Sequence, residues 1–249
     1  AERVSGAISD RLGHQSPVQP YEEDAADGEL QLVIVRILHD LCTISIDSSG
    51  AGLHRRGYRQ AVAKAPLRET LAAAILMQAG WRGERPLLDG MCGSGTLAIE
   101  AALLARDLAP GLTREFLFER WPSFQEKTWR HLRRQARERS AARAASRIVA
   151  IDRNARAVEI AAQNGHRATV AGDVEWRVAD LFLVRPETVE MAGGLVVVNP
   201  PYGKRLEEGE PTLYDRLGEH LRASFRGWRA AVLAPDIARA RRLRLPDAS

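Results

Sequence analysis

Only two of the 249 residues are cysteines, Cys42 and Cys92, and they stand far apart, so neither a disulfide framework nor a zinc site is supported. No secretory leader pattern and no apolar run long enough to span a bilayer is present, which predicts a cytoplasmic protein with no membrane partner. Heptads, tandem repeats and low-complexity tracts are also missing, and with them coiled-coil and solenoid architectures. A large excess of either charge is lacking: 36 Lys and Arg stand against 32 Asp and Glu, and a net +4 does not by itself announce a nucleic-acid partner. What remains is a chain with 45% apolar residues, long enough for one complete domain and a smaller piece.

The nucleotide fingerprints are lacking too. Asp89-Gly90-Met91-Cys92-Gly93-Ser94-Gly95-Thr96 is glycine-rich but does not fit Gly-x-Gly-x-x-Gly, and no Gly-Lys-Ser/Thr follows to hold a phosphate. The turn lies between the short apolar run Pro86-Leu87-Leu88 and the helical pattern Leu97–Leu104, so it reads as the first strand–turn–helix unit of a doubly wound parallel sheet. Such a turn suits S-adenosylmethionine: its amides can hold the amino-acid portion, and Asp89 can hold the cationic ammonium directly or through water.

Three more strands end on polar residues. Arg147–Ile151 leads to Asp152, a carboxylate placed to accept both ribose hydroxyls, and Asn154 then caps a helix expected over 155–164 and stopped by Gly165. Val174–Val178 leads to Asp180, which can accept an adenine amino group. Leu195-Val196-Val197-Val198 leads to Asn199-Pro200-Pro201-Tyr202. Asp89, Asp152, Asp180 and Asn199 should therefore line one edge of one sheet.

The last of these turns is built for a nucleobase amine. Such a nitrogen is a poor nucleophile, because its lone pair is delocalised into the ring. The Asn199 side-chain oxygen and the Pro200 carbonyl can each accept one N–H and aim the lone pair at an electrophile. Prolines stiffen the turn and bring no competing N–H, and Tyr202 offers a face on which an unstacked base can lie.

These residues resemble the class I S-adenosylmethionine-dependent RNA methyltransferases associated with a THUMP domain, above all the guanine-N2 methyltransferases of large-subunit ribosomal RNA, the RlmL type that forms the amino-terminal half of RlmKL. The likeness is carried by Leu53-His54-Arg55-Arg56-Gly57-Tyr58-Arg59, by Ala65-Pro66-Leu67-Arg68-Glu69-Thr70-Leu71-Ala72-Ala73, by Asp89–Glu100 and by Asn199–Leu206. It implies a Rossmann-like α/β fold with a mostly parallel sheet flanked by helices and preceded by a partial THUMP-like β segment. It further implies a cofactor site of Pro66, Leu67, Asp89, Gly90, Cys92, Gly93, Gly95, Thr96, Asp152 and Asp180, with Asn199, Pro200 and Tyr202 at the chemistry. Arg55, Arg56, Tyr58, Arg59, Tyr202, Lys204 and Arg205 would meet the substrate, and no metal is required. Guanine in RNA, 23S ribosomal RNA or a ribosomal precursor, is the expected substrate, and a second methyltransferase domain, fused or separate, is an expected partner.

The domain reading follows: residues 1–50 as the end of a THUMP-like module, 51–65 as a linker, and 66–249 as the methyltransferase domain. Leu30–Ile37 and Leu41–Asp47 alternate like a β-hairpin. The rest of that module, and a final hairpin after Ala230–Leu233, are not found, so a piece of a longer protein is expected. Pro66 should open a helix over 67–79 that Gly80 stops, burying Leu67, Leu71, Ala74, Ile75 and Leu76. Basic residues gather between Lys127 and Arg147, on a helix that is either a solvated face or an RNA-facing track. Transfer-RNA guanine-N2 methylation, DNA adenine-N6 methylation, a nicotinamide-dependent oxidoreductase and a non-catalytic RNA-binding fragment stay open. The oxidoreductase leaves Asn199–Tyr202 unexplained.

Overall fold

A computed structural model describes residues 2–13, 31–59, 67–201 and 211–246. It falls into two compact units, Ala1–Gly52 with Phe116–Phe124, and Leu53–Glu115 with Gln125–Ser249.

In the smaller unit, helix α1 (Glu2–Leu12) precedes the antiparallel strands β1 (Val33–Leu38) and β2 (Leu41–Ile46). The strands pair from Val33 with Ile46 to Leu38 with Leu41, and His39 and Asp40 between them both have positive φ, 47° and 59°. That is the conformation a two-residue turn needs to match the strand twist. The expected hairpin is present with its ends trimmed. The segment 116–124 is bound into this unit: Trp121 Nε1 donates to Gln31 Oε1 at 2.7 Å, and the Phe118 N–H donates to the Ser48 carbonyl at 3.2 Å. The sequence reading had assigned that segment to the catalytic domain, and had made a linker of 51–65, of which 53–59 belongs to the larger unit.

The larger unit holds a five-stranded, all-parallel sheet, β3 (Leu87–Asp89), β4 (Ile148–Asp152), β5 (Val174–Val178), β6 (Leu195–Val198) and β7 (Arg229–Val232), in the order β5-β4-β3-β6-β7. Helices α2 (Glu69–Gln78), α3 (Thr96–Ala105), α4 (Glu126–Arg139), α5 (Ala155–Arg167), α6 (Pro211–Ser224) and α7 (Ile237–Arg242) connect and flank it. Every residue of β3 and β6 is buried, because a parallel sheet is covered on both faces, and alternation sorts the side chains between two cores. Leu87, Ile148, Ala150, Leu195 and Val197 meet Leu76 of α2, Ile99 and Ala102 of α3, Ala161 of α5 and Trp81. Leu88, Val149, Ile151, Val196 and Val198 meet Tyr214, Leu217 and Leu221 of α6, and Phe225. Each fully buried Leu or Ile here contributes about 1.5–3 kcal/mol relative to exposure.

Two local expectations are corrected. Helix α2 buries Glu69, Ala72 and Leu76, while Leu71 is half exposed and Ala74 faces solvent, because the face presented to α3 is turned from the stripe read in the sequence. Helix α5 does not stop at Gly165 but runs on to Arg167, with Ala168 as its cap. Gly165 serves close packing instead: a Cβ there would stand 3.0 Å from Trp176 Cζ2 of β5.

Candidate active site

The carboxyl ends of four adjacent strands bring Asp180 (after β5), Asp152 (β4), Asp89 (β3) and Asn199 (after β6) to one edge of the sheet, the shared edge expected from the sequence. The turn after β3 is tied to both neighbouring strands: the Gly90 N–H donates to the Val197 carbonyl and the Cys92 N–H to the Ile151 carbonyl, each at 2.9 Å. Asn164, fully buried on α5, donates through Nδ2 to the Ser94 carbonyl at 3.0 Å. Gly95 has φ +86°, and a Cβ there would meet Ala161 at 2.9 Å and Trp176 at 3.0 Å, so this position requires glycine for both conformation and space. At Gly93, by contrast, a Cβ would meet nothing within 4 Å, leaving the turn open on that side. Cys92 is buried in the turn, and burial pushes its thiol well above the usual value.

The polar groups differ in how they are satisfied. Asp152 is half-buried and already holds two backbone groups: Oδ2 accepts from the Gly93 N–H at 3.0 Å and Oδ1 from the Asn154 N–H at 2.9 Å. Asp180 caps the short turn Leu181–Leu183 by accepting from the Phe182 N–H at 3.0 Å. Asp89 is fully buried, and neither carboxylate oxygen has a hydrogen-bond partner. Loss of water pushes its pKa up to about 7, helped by the nearby Asp152 charge; the N–H groups of Ala98 and Met91 oppose the shift without closing a hydrogen bond of ordinary geometry. The Asn199 side-chain oxygen is also buried without a partner, and Pro200 beside it is buried. Tyr202, Lys204, Arg205 and Pro66 lie outside the described residues.

Arg56, Tyr58 and Arg59 do not form the expected surface for a base and phosphates, because they turn inward onto a carboxylate pair that the sequence reading missed. Tyr58 is 3% exposed and its hydroxyl donates to Glu100 Oε1 at 3.0 Å. Arg56 faces Glu100 at 3.2 Å, and Arg59 faces Glu69 at 3.3 Å. Arg59 Nη2 also donates to the Leu67 carbonyl at 2.6 Å and to Thr96 Oγ1 at 3.1 Å, which ties Arg59 and Leu67 to the first residue of α3 beside the glycine-rich turn. Burial pushes Glu100 up to about 7, against the Arg56 charge and the Tyr58 hydrogen bond. Only Arg55 of this group is exposed. The available signal was Glu100 itself, an acid in the wholly apolar helix 97–104, since a buried charge requires a partner.

Orphaned acceptors at Asp89 and Asn199, with open space over Gly93, fit a ligand that brings a cation to the first and N–H groups to the second. A parallel sheet of this order, with acids closing three successive strands and Asn-Pro-Pro closing the fourth, defines a Rossmann-like methyltransferase domain. The comparison with known families narrows the class. Residues 56–246 match the RMKL-like methyltransferase domain family, and the chain belongs to it.

The chain is 43% identical over 242 residues to the ribosomal RNA large subunit methyltransferase K/L of Psychromonas ingrahamii, covering 95% of this chain and 32% of that protein. It thus spans about a third of that relative's length. Among solved structures, SMU.472, assigned as a methyltransferase and crystallised with SAH, superposes with a TM-score of 0.77 at 29% identity, over 96% of this chain and 61% of the other. A predicted N6-adenine-specific DNA methylase from Listeria monocytogenes str. 4b F2365 gives a TM-score of 0.78 at 34% identity, over 97% and 62%.

Proposed function

We propose that the chain binds S-adenosylmethionine and directs its methyl group onto the exocyclic N2 amine of a guanine in large-subunit ribosomal RNA. The observation that carries this reading is the buried, unpartnered Asn199 oxygen at the end of β6, next to the equally unpartnered Asp89 at the end of β3. A buried acceptor left without a donor costs about 1–3 kcal/mol, a cost repaid when a ligand supplies the N–H. The SAH complex of SMU.472 and the ribosomal RNA named in the relative from Psychromonas ingrahamii support cofactor and substrate respectively.

In this mechanism S-adenosylmethionine supplies an electrophilic methyl group bonded to a sulfonium. Asp89 would receive the ligand's ammonium, the Gly90–Gly95 turn amides would hold its amino-acid portion, and Asp152 and Asp180 would accept from the ribose and adenine edges. The Asn199 side-chain oxygen and the Pro200 carbonyl each accept one N–H of the base amine, which keeps its lone pair aimed outward. With the ligand bound, the amine nitrogen would take the methyl group as the sulfur departs as a neutral thioether, and its extra proton would pass to water, since among the described residues no side chain is placed as a dedicated base. Positioning supplies most of the acceleration.

Asn-Pro-Pro chemistry serves an adenine N6 amine equally well, and the name of the Listeria protein keeps that second reading open. Incubating the protein with S-adenosylmethionine and either large-subunit ribosomal RNA or duplex DNA, followed by nucleoside analysis by mass spectrometry, separates them. N2-methylguanosine is expected, and N6-methyladenine in its place would overturn the guanine assignment.

A further inference from the structure

One strongly basic helix is left unused by the proposed reaction. Helix α4 carries six basic residues, Lys127, Arg130, Arg133, Arg134, Arg137 and Arg139, against two acids, Glu126 and Glu138. Its net charge is +4, which equals that of the whole chain, so everything outside α4 sums to zero.

The basic residues divide by direction. On the inward side Arg133 donates to the Leu112 carbonyl at 2.8 Å, and on the far flank Arg139 pairs with Asp107 at 3.3 Å. Arg133 is spent on fastening α4 to the loop that follows α3, while the Arg139 pair is as exposed as the pairs described next but lies off their face. Lys127, Arg130, Arg134 and Arg137 recur at spacings of three and four, which places them along one exposed face. They span about 15 Å of helix. Arg130 and Arg134 touch Glu126 and Glu138 at 3.5 and 3.8 Å, but those pairs are about two-thirds exposed on each side, so exchanging a carboxylate for a phosphate costs little. Lys127 lies in the first turn of α4, where a cation opposes the helix dipole. A helix needing only a solvated face gains nothing from that placement, whereas a polyanion facing the stripe does.

We propose that the Lys127–Arg130–Arg134–Arg137 face is a docking surface for the phosphodiester backbone of RNA, which anchors the substrate away from the base that enters the site. The inference rests on RNA being the substrate. It assigns the contact to α4, in place of the 55–59 segment, whose Arg56, Tyr58 and Arg59 are engaged by Glu69 and Glu100.

The test combines Lys127→Ala, Arg130→Ala, Arg134→Ala and Arg137→Ala in the full chain and measures binding of a fragment of large-subunit ribosomal RNA and of polyuridylate over a range of salt. The slope of log affinity against log salt should fall by about 3, with roughly 100-fold weaker binding near 0.1 M salt. SAH affinity by calorimetry should not change, and replacing the three arginines by lysine instead of alanine should restore most of the binding. Unchanged RNA affinity and slope would overturn the proposal while leaving the methylation reading intact; a wild-type protein that methylates DNA and binds no RNA would remove both. Loss of binding to polyglutamate or to anionic vesicles, with RNA binding retained, would also overturn it. Should the combined variant fail to fold, the pair Glu126→Gln and Glu138→Gln must tighten RNA binding severalfold, and no change there counts against the surface.

Discussion

Two buried polar clusters flank the amino-terminal end of α3, and they are satisfied in opposite ways. Behind it, Arg56, Tyr58, Arg59, Glu69 and Glu100 face one another, so that each acid meets a guanidinium and Glu100 also meets a phenol. In front of it, Asp89 is fully buried with no ion pair among the described residues, and the enclosed Asn199 side-chain oxygen has no hydrogen-bond partner. Both clusters contain a carboxyl group raised to about 7 by loss of water. The contrast teaches that burial and a raised pKa do not mark a site by themselves. Arg56 Nε, Arg59 Nε and Glu69 Oε2 lack hydrogen-bond partners as well, so the distinguishing feature is that Glu69 and Glu100 each meet a cation whereas Asp89 meets none among the described residues, an imbalance that a cationic ligand relieves.

The largest effect should come from breaking the ion-paired cluster. Glu100→Ala strands Arg56 and the Tyr58 hydroxyl in an enclosed space and should cost about 3–5 kcal/mol of stability by chemical denaturation, with Glu100→Gln costing clearly less because it keeps an acceptor for Tyr58. Little loss in either variant would show that the contacts are dispensable. Next in size, Asn199→Ala should lower the methylation rate roughly 100-fold or more, while SAH affinity by calorimetry stays nearly the same. A variant that still methylates at close to the wild-type rate removes Asn199 from the chemistry.

Asp152→Ala should weaken SAH binding by about 1–3 kcal/mol. Asp152→Asn, which still offers Gly93 an acceptor, should retain part of that; if both variants bind SAH like the wild type, the ribose assignment fails.

The smallest effect is a pH dependence that separates the clusters. Asp89 is raised from 3.8 to about 7, so the ligand-free protein binds more protons than the unfolded chain between those values. Its contribution to stability is therefore full below the unfolded value and is lost as pH rises through about 7. A cationic ligand favours the ionised form, so SAH affinity should rise roughly tenfold between about pH 6 and pH 8, with proton release in calorimetry. In Asp89→Asn that rise should vanish, whereas a rise that persists would assign it to another group.

The sheet was readable in the sequence because strands buried on both faces are written as unbroken apolar runs, as in Leu195–Val198, with the ligand-facing residue directly at the end. What escaped the sequence were contacts between residues remote along the chain. Glu100 meets a tyrosine 42 positions away, so nothing in the local pattern of Arg55–Arg59 tells an inward arginine from an outward one. Gly165 looked like a helix stop and proved to be the floor under Trp176, a role set by a strand that the helix pattern does not contain. The face of α2 was misread for the same reason: a helix rich in Ala and Leu can roll, and only α3 decides which side is inside.

The excursion 116–124 has a practical consequence for anyone dissecting this protein. Leaving the sheet after α3 and returning at α4, the chain lends Leu117, Phe118 and Trp121 to the hairpin unit, so cutting at residue 52 severs the backbone once but orphans two surfaces. An excised fragment starting at Leu53 would display a stacked Phe116–Phe118 pair to water and should clump during purification unless that excursion is replaced by a short polar bridge.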